Sequence, residues 1–317
     1  MNLLISIPCL NEEEAISEVI SLIPERIEDI SNIHVLVIND GSTDKTAEIA
    51  HALGAIVISH KKNLGVGEAF KSAYNFAVDH NFDLMVNIDG DNQFDPRQIP
   101  ELVRPILESK ADLVIGSRFL ENKKIPNQSK IKYIGNKLMT LLIGKLIETN
   151  QTDVSSGFRA YSQEALYNLN LHGSFTYTQE TFLEFAAKKL TIAEVPVRVK
   201  YFRNRKSRVV KSLLKYIVNT IKIIIRGYRD FFPLRFFGTL SIMFLLPSIV
   251  FSSIFFIKYI NTGLFSGNLY AGFLGGFFLF LSLIFGLIGL VADMLDRIRA
   301  NQEKILYKIK KQQNKVK

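Results

Sequence analysis

Cysteine and histidine are scarce in this chain: Cys9 stands alone, and five histidines are spread over 317 residues. A single thiol excludes an intrachain disulfide, and no thiolate metal site is expected. The histidines, at 34, 51, 60, 80 and 172, show no ligand-like spacing, so no zinc site is expected. The glycine-rich stretch NLGVG (63–67) is not followed by G-K-[ST] and lacks the G-x-G-x-x-G pattern, which excludes a P-loop and a dinucleotide fingerprint. Charge is missing from two long stretches, FFGTLSIMFLLPSIVFSSIFFI (236–257) and LYAGFLGGFFLFLSLIFGLIGLVA (269–292). Each exceeds the roughly 20 apolar residues that a membrane-crossing helix needs. Two transmembrane helices are therefore expected, at about 236–258 and 269–292.

What charge there is falls unevenly. The net value of +9 combines a net −8 over residues 1–197 with twelve Lys/Arg against one acid between Arg198 and Arg235, and eight against three from Asp293 to Lys317. The connector KYINTGLFSGN (258–268) has one lysine. Positive flanks on both sides of the hydrophobic pair place both termini and the N-terminal region in the cytoplasm, in an integral protein of the cell membrane. Residues 211–235 carry apolar residues at helical spacing among Lys215, Lys222, Arg226 and Arg229, as expected of an amphipathic helix in the headgroup layer. A basic collar beside a membrane already has an anionic partner, so nucleic-acid binding is not expected. The domain plan is a soluble domain over 1–210, the juxtamembrane helix over 211–235, the two spans within 236–292 and a basic cytoplasmic tail over 293–317. The tail repeats apolar residues at Leu295, Ile298, Ile305 and Ile309, which suits a surface helix or a homo-oligomer contact. The opening MNLLISIPCLNEEEA lacks a basic n-region and reads as a first strand.

Within 1–120, apolar strands at 3–7, 35–38, 56–58, 84–88 and 113–115 alternate with helical patterns at 13–23, 45–53 and 67–78. That alternation predicts an α/β fold, a Rossmann-like and mostly parallel sheet with flanking helices. In such sheets ligands bind beyond the carboxyl ends of the strands. Polar clusters sit at those ends: PCLNEEE (8–14), NDGSTDKT (39–46), KNLGVGEA (62–69), DGDNQFDP (89–96) and GSRF (116–119). Asp89 and Asp91 are two apart on an extended chain and can aim at one point, where they repel unless a proton or cation sits between them. Each cluster alone is also explained by capping or turn chemistry. Five on one sheet edge are not.

The ordered set IPCLNEEEAI, NDGSTDKT, NLGVGEAF, IDGDNQFDP, GSRF and DVSSGFRAY (153–161) resembles the inverting GT-A glycosyltransferases, and with two following spans it is similar to the dolichyl- and undecaprenyl-phosphate (polyprenyl-phosphate) members. The resemblance covers roughly residues 1–210. It implies that Pro8, Asn11, Glu12 and Gly65 line a pocket for a nucleotide-diphosphate sugar and that Asp40 meets the base. It also implies that Asp89 and Asp91 form a D-x-D motif with Asp91 as direct metal ligand assisted by Gln93, and that Arg118 lies near the phosphates. Asp153 becomes a candidate base or acceptor-site carboxylate, with Arg159 a structural or phosphate-side companion. The implied cofactor is Mg²⁺ or Mn²⁺, hard cations that a carboxylate pair and substrate phosphates hold together.

A lipid monophosphate acceptor is already an anion near neutral pH, so it needs positioning cations more than a base. The run YFRNRKSRVVK (201–211) lies between the soluble domain and the first span, and Arg203, Arg205 and Arg208 are assigned to the acceptor phosphate. Two readings stand beside this one. A neutral lipid or glycan acceptor would make Asp153 essential as a base. A catalytically dead, membrane-anchored companion protein would have no use for an intact D-x-D.

Overall fold

The structure, a computed structural model, describes residues 1–121, 130–147, 151–170, 177–201, 221–222 and 225–316. They form two compact units, one made of residues 1–224 and 306–317, the other of 225–305.

The first unit is built on a seven-stranded sheet of order β3-β2-β1-β4-β6-β5-β7. Its strands are β1 (Asn2–Cys9), β2 (Asn32–Asn39), β3 (Ile56–Ser59), β4 (Leu84–Asn87), β5 (Leu113–Ser117), β6 (Arg159–Ser162) and β7 (Ile192–Pro196). Leu3, Leu4, Ile5 and Ile7 are all fully buried, so β1 is covered on both faces, as a central parallel strand must be. Helices α1 (Ile16–Ser21), α2 (Thr46–Ala52) and α4 (Ile99–Leu107) pack their Ile16, Val19, Ala50, Leu102 and Val103 on the face that carries Leu3, Ile5, Ile7, Val37 and Val86. Helix α3 (Val66–Asp79) covers β1 and β2 from the other side with Phe70, Ala73 and Ala77, spaced three and four apart. Each large aliphatic buried in these layers stabilises the fold by about 1.5–3 kcal/mol relative to exposure. The mostly parallel sheet with flanking helices matches the expectation from sequence.

The departure from a simple alternating plan is β6. It runs antiparallel to both β4 and β5, with Asn87 opposite Arg159 and Ile115 opposite the same residue. Reversal brings the loop that precedes β6, DVSSGF, to the edge where β1, β2, β4 and β5 end. The remaining helices described in this unit are α5 (Lys130–Ile147), α6 (Gln163–Asn168), which packs on β6 and α3, and α7 (Tyr177–Ala187), which packs on α3 and α5.

The second unit is a helical hairpin. Helix α8 (Pro233–Thr262) stops at Gly263, whose φ of 66° is the left-handed conformation glycine adopts without strain. Helix α9 (Leu269–Val316) then runs 48 residues without a break, as far as 305 in this unit, and residues 293–316 of the basic tail are helical with it. Small residues let the helices meet: a Cβ on Gly275 would fall 2.5 Å from Ser252 Oγ, and one on Gly289 would fall 3.0 Å from Phe237. Ser248 Oγ donates to Gly275 O at 2.9 Å, and Ser241 and Ser282 donate to each other's carbonyls at 2.8 and 2.9 Å. Small-residue contacts and hydroxyl-to-carbonyl bonds are how helices associate where the surroundings are as apolar as the side chains. Ile260 and Phe273 are about three-quarters exposed, at 77% and 75%, which lipid tolerates and water does not. Both helices are long and apolar enough to cross a membrane. Most of the expected juxtamembrane helix, together with Arg203, Arg205 and Arg208, lies outside the described residues.

Candidate active site

The carboxyl ends of β1, β2 and β4, beside the point where strand order reverses, hold the D-x-D and its neighbours. The loops after β1 and β2 are stitched to each other. Asn11 takes a left-handed φ of 52°, its Oδ1 accepts from Thr43 N at 2.8 Å, and its own N donates to Ser42 Oγ at 2.9 Å. Glu12 N donates to Thr46 Oγ1 at 2.8 Å. Glu12 is buried, and Pro8 O lies 3.3 Å from where a Cβ on Gly90 would stand.

Asp40 is buried with both carboxylate oxygens engaged inside the protein. Oδ1 accepts from Leu64 N at 2.9 Å and lies 2.8 Å from His60 Nδ1, while Oδ2 accepts from Gly65 N at 2.8 Å. His60 Nε2 in turn meets Ser72 Oγ at 2.9 Å. Asp40 therefore ties the glycine-rich loop to the end of β2, a role its expected contact with a base did not anticipate. Gly65 has φ 97° at the start of α3, and Gly41 has φ 74° with Lys62 C only 2.5 Å from its would-be Cβ. No side chain fits at either position.

Beyond β4, Asp91 accepts from Gln93 N at 3.1 Å and from Gln93 Nε2 at 2.6 Å. Gln93 thus steadies the Asp91 carboxylate. Asp89 sits deeper. A Cβ on Gly157 would be 3.0 and 3.1 Å from its two oxygens, and one on Gly90 would be 2.5 Å from Cys9 Sγ. Its deep setting first, and the neighbouring Asp91 second, push the Asp89 carboxyl up to about 7, with Arg118 pulling the other way. Burial, followed by the charges of Asp89, Asp91 and Asp44, also pushes the Cys9 thiol far above its ordinary range, so Cys9 is an inert floor to the site.

Asp153 is fully buried, and Arg118 grips it in bidentate fashion, Nε to Oδ2 at 2.6 Å and Nη2 to Oδ1 at 2.8 Å. Burial works against the charge of Asp153, but the Arg118 cation and its hydrogen bonds outweigh it and hold the carboxyl below the usual range. Arg118 also donates to Ser155 Oγ at 2.8 Å and Tyr201 OH at 3.2 Å. An ion-paired carboxylate of lowered basicity accepts a proton poorly. Arg159 is buried and structural: it donates to Ser156 O and Val154 O, both at 2.8 Å, and to Thr178 O at 2.8 Å, pinning the DVSSG loop to α7.

Several participants had no signature in the sequence. Asn87 Nδ2 donates to Gly157 O at 3.0 Å and to Tyr177 OH at 2.8 Å, and the Tyr177 ring stacks on Phe70 at 4.0 Å. Glu194 on β7 accepts the N–H groups of Thr152 and Asp153, at 2.8 and 2.9 Å, fixing the start of the DVSSG loop. None carries a motif of its own. Only Asn87, a polar residue ending a buried strand, could have been flagged.

No group of three or more His, Cys, Asp or Glu able to enclose a metal occurs among the described residues. Asp89 and Asp91 are two crowded oxygen donors whose repulsion a hard cation relieves, and they suit a cation completed by substrate phosphate and water. Among the described residues, soft or borderline metals have no thiolate or imidazole set to bind them.

Known proteins resemble this chain over its sheet-bearing part. The chain is 30% identical over 215 residues to a UDP-N-acetylglucosamine–dolichyl-phosphate N-acetylglucosaminyltransferase of Methanococcus voltae, covering 62% of this chain and 84% of that one. It is 28% identical over 210 residues to an undecaprenyl-phosphate mannosyltransferase of Micrococcus luteus, covering 62% and 83%. Among solved structures, glucosyl-3-phosphoglycerate synthase from Mycobacterium tuberculosis, in complex with Mn²⁺ and UDP-glucose, aligns with a TM-score of 0.53 at 25% identity, over 72% of this chain and 78% of that one. The sequence profile of Glycosyl transferase family 2 matches residues 4–169, and with the GT-A-like sheet and the site at its edge it places this chain in that family as a glycosyltransferase.

Proposed function

We propose that this enzyme transfers a sugar from a nucleotide-diphosphate donor to a polyprenyl phosphate at the cytoplasmic face of the cell membrane, with inversion. The observation that carries the reading is the place of Asp89 and Asp91, two residues apart just past the carboxyl end of β4, with the Asp89 carboxylate packed over Gly157 of the DVSSGF loop. Asp89 and Asp91 would hold Mg²⁺ or Mn²⁺. When bound, such a cation neutralises the charge that grows on the leaving diphosphate. Gln93 keeps Asp91 aimed, and the loops anchored by Asn11 and Asp40 shape the nucleotide end of the pocket.

The lipid acceptor is supported by the two apolar helices and by the relatives named for dolichyl and undecaprenyl phosphates. A phosphate nucleophile needs no base, which agrees with Asp153 being committed to Arg118. In this reading Asp153 orients Arg118 toward the phosphates, and Arg203, Arg205 and Arg208 receive the acceptor phosphate. A neutral acceptor would need a base, and Asp153 as held is a poor one.

The test is turnover of the purified protein with a panel of nucleotide sugars, Mg²⁺ or Mn²⁺, and either polyprenyl phosphate or the corresponding prenol. Nucleotide release from one donor that depends on the phosphorylated lipid is expected. Equal activity with the prenol would overturn the phosphate-acceptor reading.

A further inference from the structure

After residue 305 the chain rejoins the first unit, and the last turns of α9 end in a socket there. Lys310 Nζ lies within hydrogen-bond reach of four acceptors for its three N–H groups, Tyr74 OH at 2.7 Å, Leu169 O at 3.0 Å, Tyr167 O at 3.2 Å and Asn170 Oδ1 at 3.2 Å, and 5.4 Å from the Tyr74 ring centre. Tyr74, Tyr167 and Leu169 are themselves buried. One turn earlier, Tyr307 OH donates to Glu164 Oε2 at 2.8 Å, and its ring meets Tyr167 edge-on. An ammonium with this many oxygen acceptors is not a solvated surface charge; it closes the carbonyl end of α6, which has no further helical partners.

The corner that Lys310 closes is tied to the candidate active site by a chain of contacts through α3 and α7. Tyr74 OH also donates to Leu169 O, and one turn away on α3 Phe70 stacks on Tyr177. From the other side, Asn170 N donates to Glu184 Oε1 of α7 at 2.9 Å. Tyr177, at the head of α7, meets Asn87 and Gly157, and Gly157 underlies Asp89.

We propose that segment 307–311 is an intramolecular clamp on the glycosyltransferase domain, with Lys310 a positioning residue that holds the 167–170 corner and, through α3 and α7, the Tyr177 side of the site. The effect on turnover rests on the function proposed above, whereas docking of the tail does not.

The experiment compares full-length wild type with Lys310→Met, Lys310→Arg and Lys308→Ala in lipid vesicles, by amide hydrogen exchange and by transfer kinetics. Lys310→Met keeps the apolar stem and removes the charge. It is expected to speed exchange of the Leu169 and Asn170 amides and to lower kcat by about three- to tenfold with little change in donor KM, the scale of coupling seen for residues remote from a site. Lys310→Arg should restore both, and Lys308→Ala, an exposed neighbour, should change neither. Exchange at 169–170 unaltered by Lys310→Met overturns the clamp, and faster exchange with unaltered kcat overturns the positioning role. If wild type transfers no sugar, the proposed function fails, and the exchange comparison still decides the docking.

Discussion

The carboxylate of Asp89 lies so close over Gly157 that a Cβ there would stand 3.0 Å from one oxygen and 3.1 Å from the other. Asp89 and Gly157 are 68 residues apart in the chain, and their contact brings the D-x-D and DVSSGFR motifs to one wall of the site. Gly157→Ala is expected to displace Asp89 and lower turnover at least tenfold, at an overpacking cost of about 1–3 kcal/mol. Steady-state kinetics beside denaturant melts separate the two effects.

Asp91→Asn keeps an oxygen for Gln93 and removes the charge. The fold should persist while turnover drops by about 10²–10³-fold, the size of effect that follows loss of one transition-state electrostatic contact. Nucleotide release assayed with the lipid acceptor reads this directly, and full retained activity would remove Asp91 from the metal site.

Stability should depend on pH and on divalent cation together. Asp89 titrates higher in the folded protein, at about 7, than the ordinary carboxylate value of about 4 in an unfolded chain. Between those values the native state holds a proton that the unfolded chain has released, so cation-free stability falls as pH rises through that window. Mg²⁺ or Mn²⁺ takes over the proton's place, so added cation should raise the melting midpoint more at pH 8 than at pH 5. Equal gains at both pH values would count against the pair as the cation site.

Asp40→Asn leaves one of the donors Leu64 N, Gly65 N or His60 facing an amide NH₂ instead of an oxygen. A loss of about 1–3 kcal/mol is expected, with a raised KM for the donor sugar nucleotide because the glycine-rich loop is loosened. Chemical denaturation and donor titration check the two parts.

Replacing Arg203, Arg205 and Arg208 together by alanine should raise KM for polyprenyl phosphate and leave KM for the sugar nucleotide nearly unchanged. Equal effects on both substrates would assign the run to general membrane attraction, worth about 1 kcal/mol per basic residue.

Much of the fold was legible because its signals are local. Strands β1, β2 and β4 are continuous apolar runs ended by polar clusters, and two charge-free stretches announced the helical hairpin. The antiparallel β6 was not legible: RAYS is four residues long, and nothing in it distinguishes the direction in which it enters the sheet. Helix α4 was also missed, since Pro100 and Pro105 interrupt its pattern, although Pro100 falls in the first turn where its missing N–H costs nothing.

The sequence by itself determined which residue types stand at the strand ends, and so the D-x-D, the polar loops and the apolar anchor. These follow from periodicity and composition, which neighbours along the chain reveal. Tertiary structure alone decided what those side chains do to one another: Asp40 turned inward to its loop, Asp153 clamped by Arg118, Gly157 beneath Asp89, and Lys310 seated against Leu169. Each is a contact between segments apart in the chain, the Asp153 and Gly157 contacts following from the reversal of β6 and the Lys310 contact from the return of α9, and pairing at that range leaves no periodic trace in sequence.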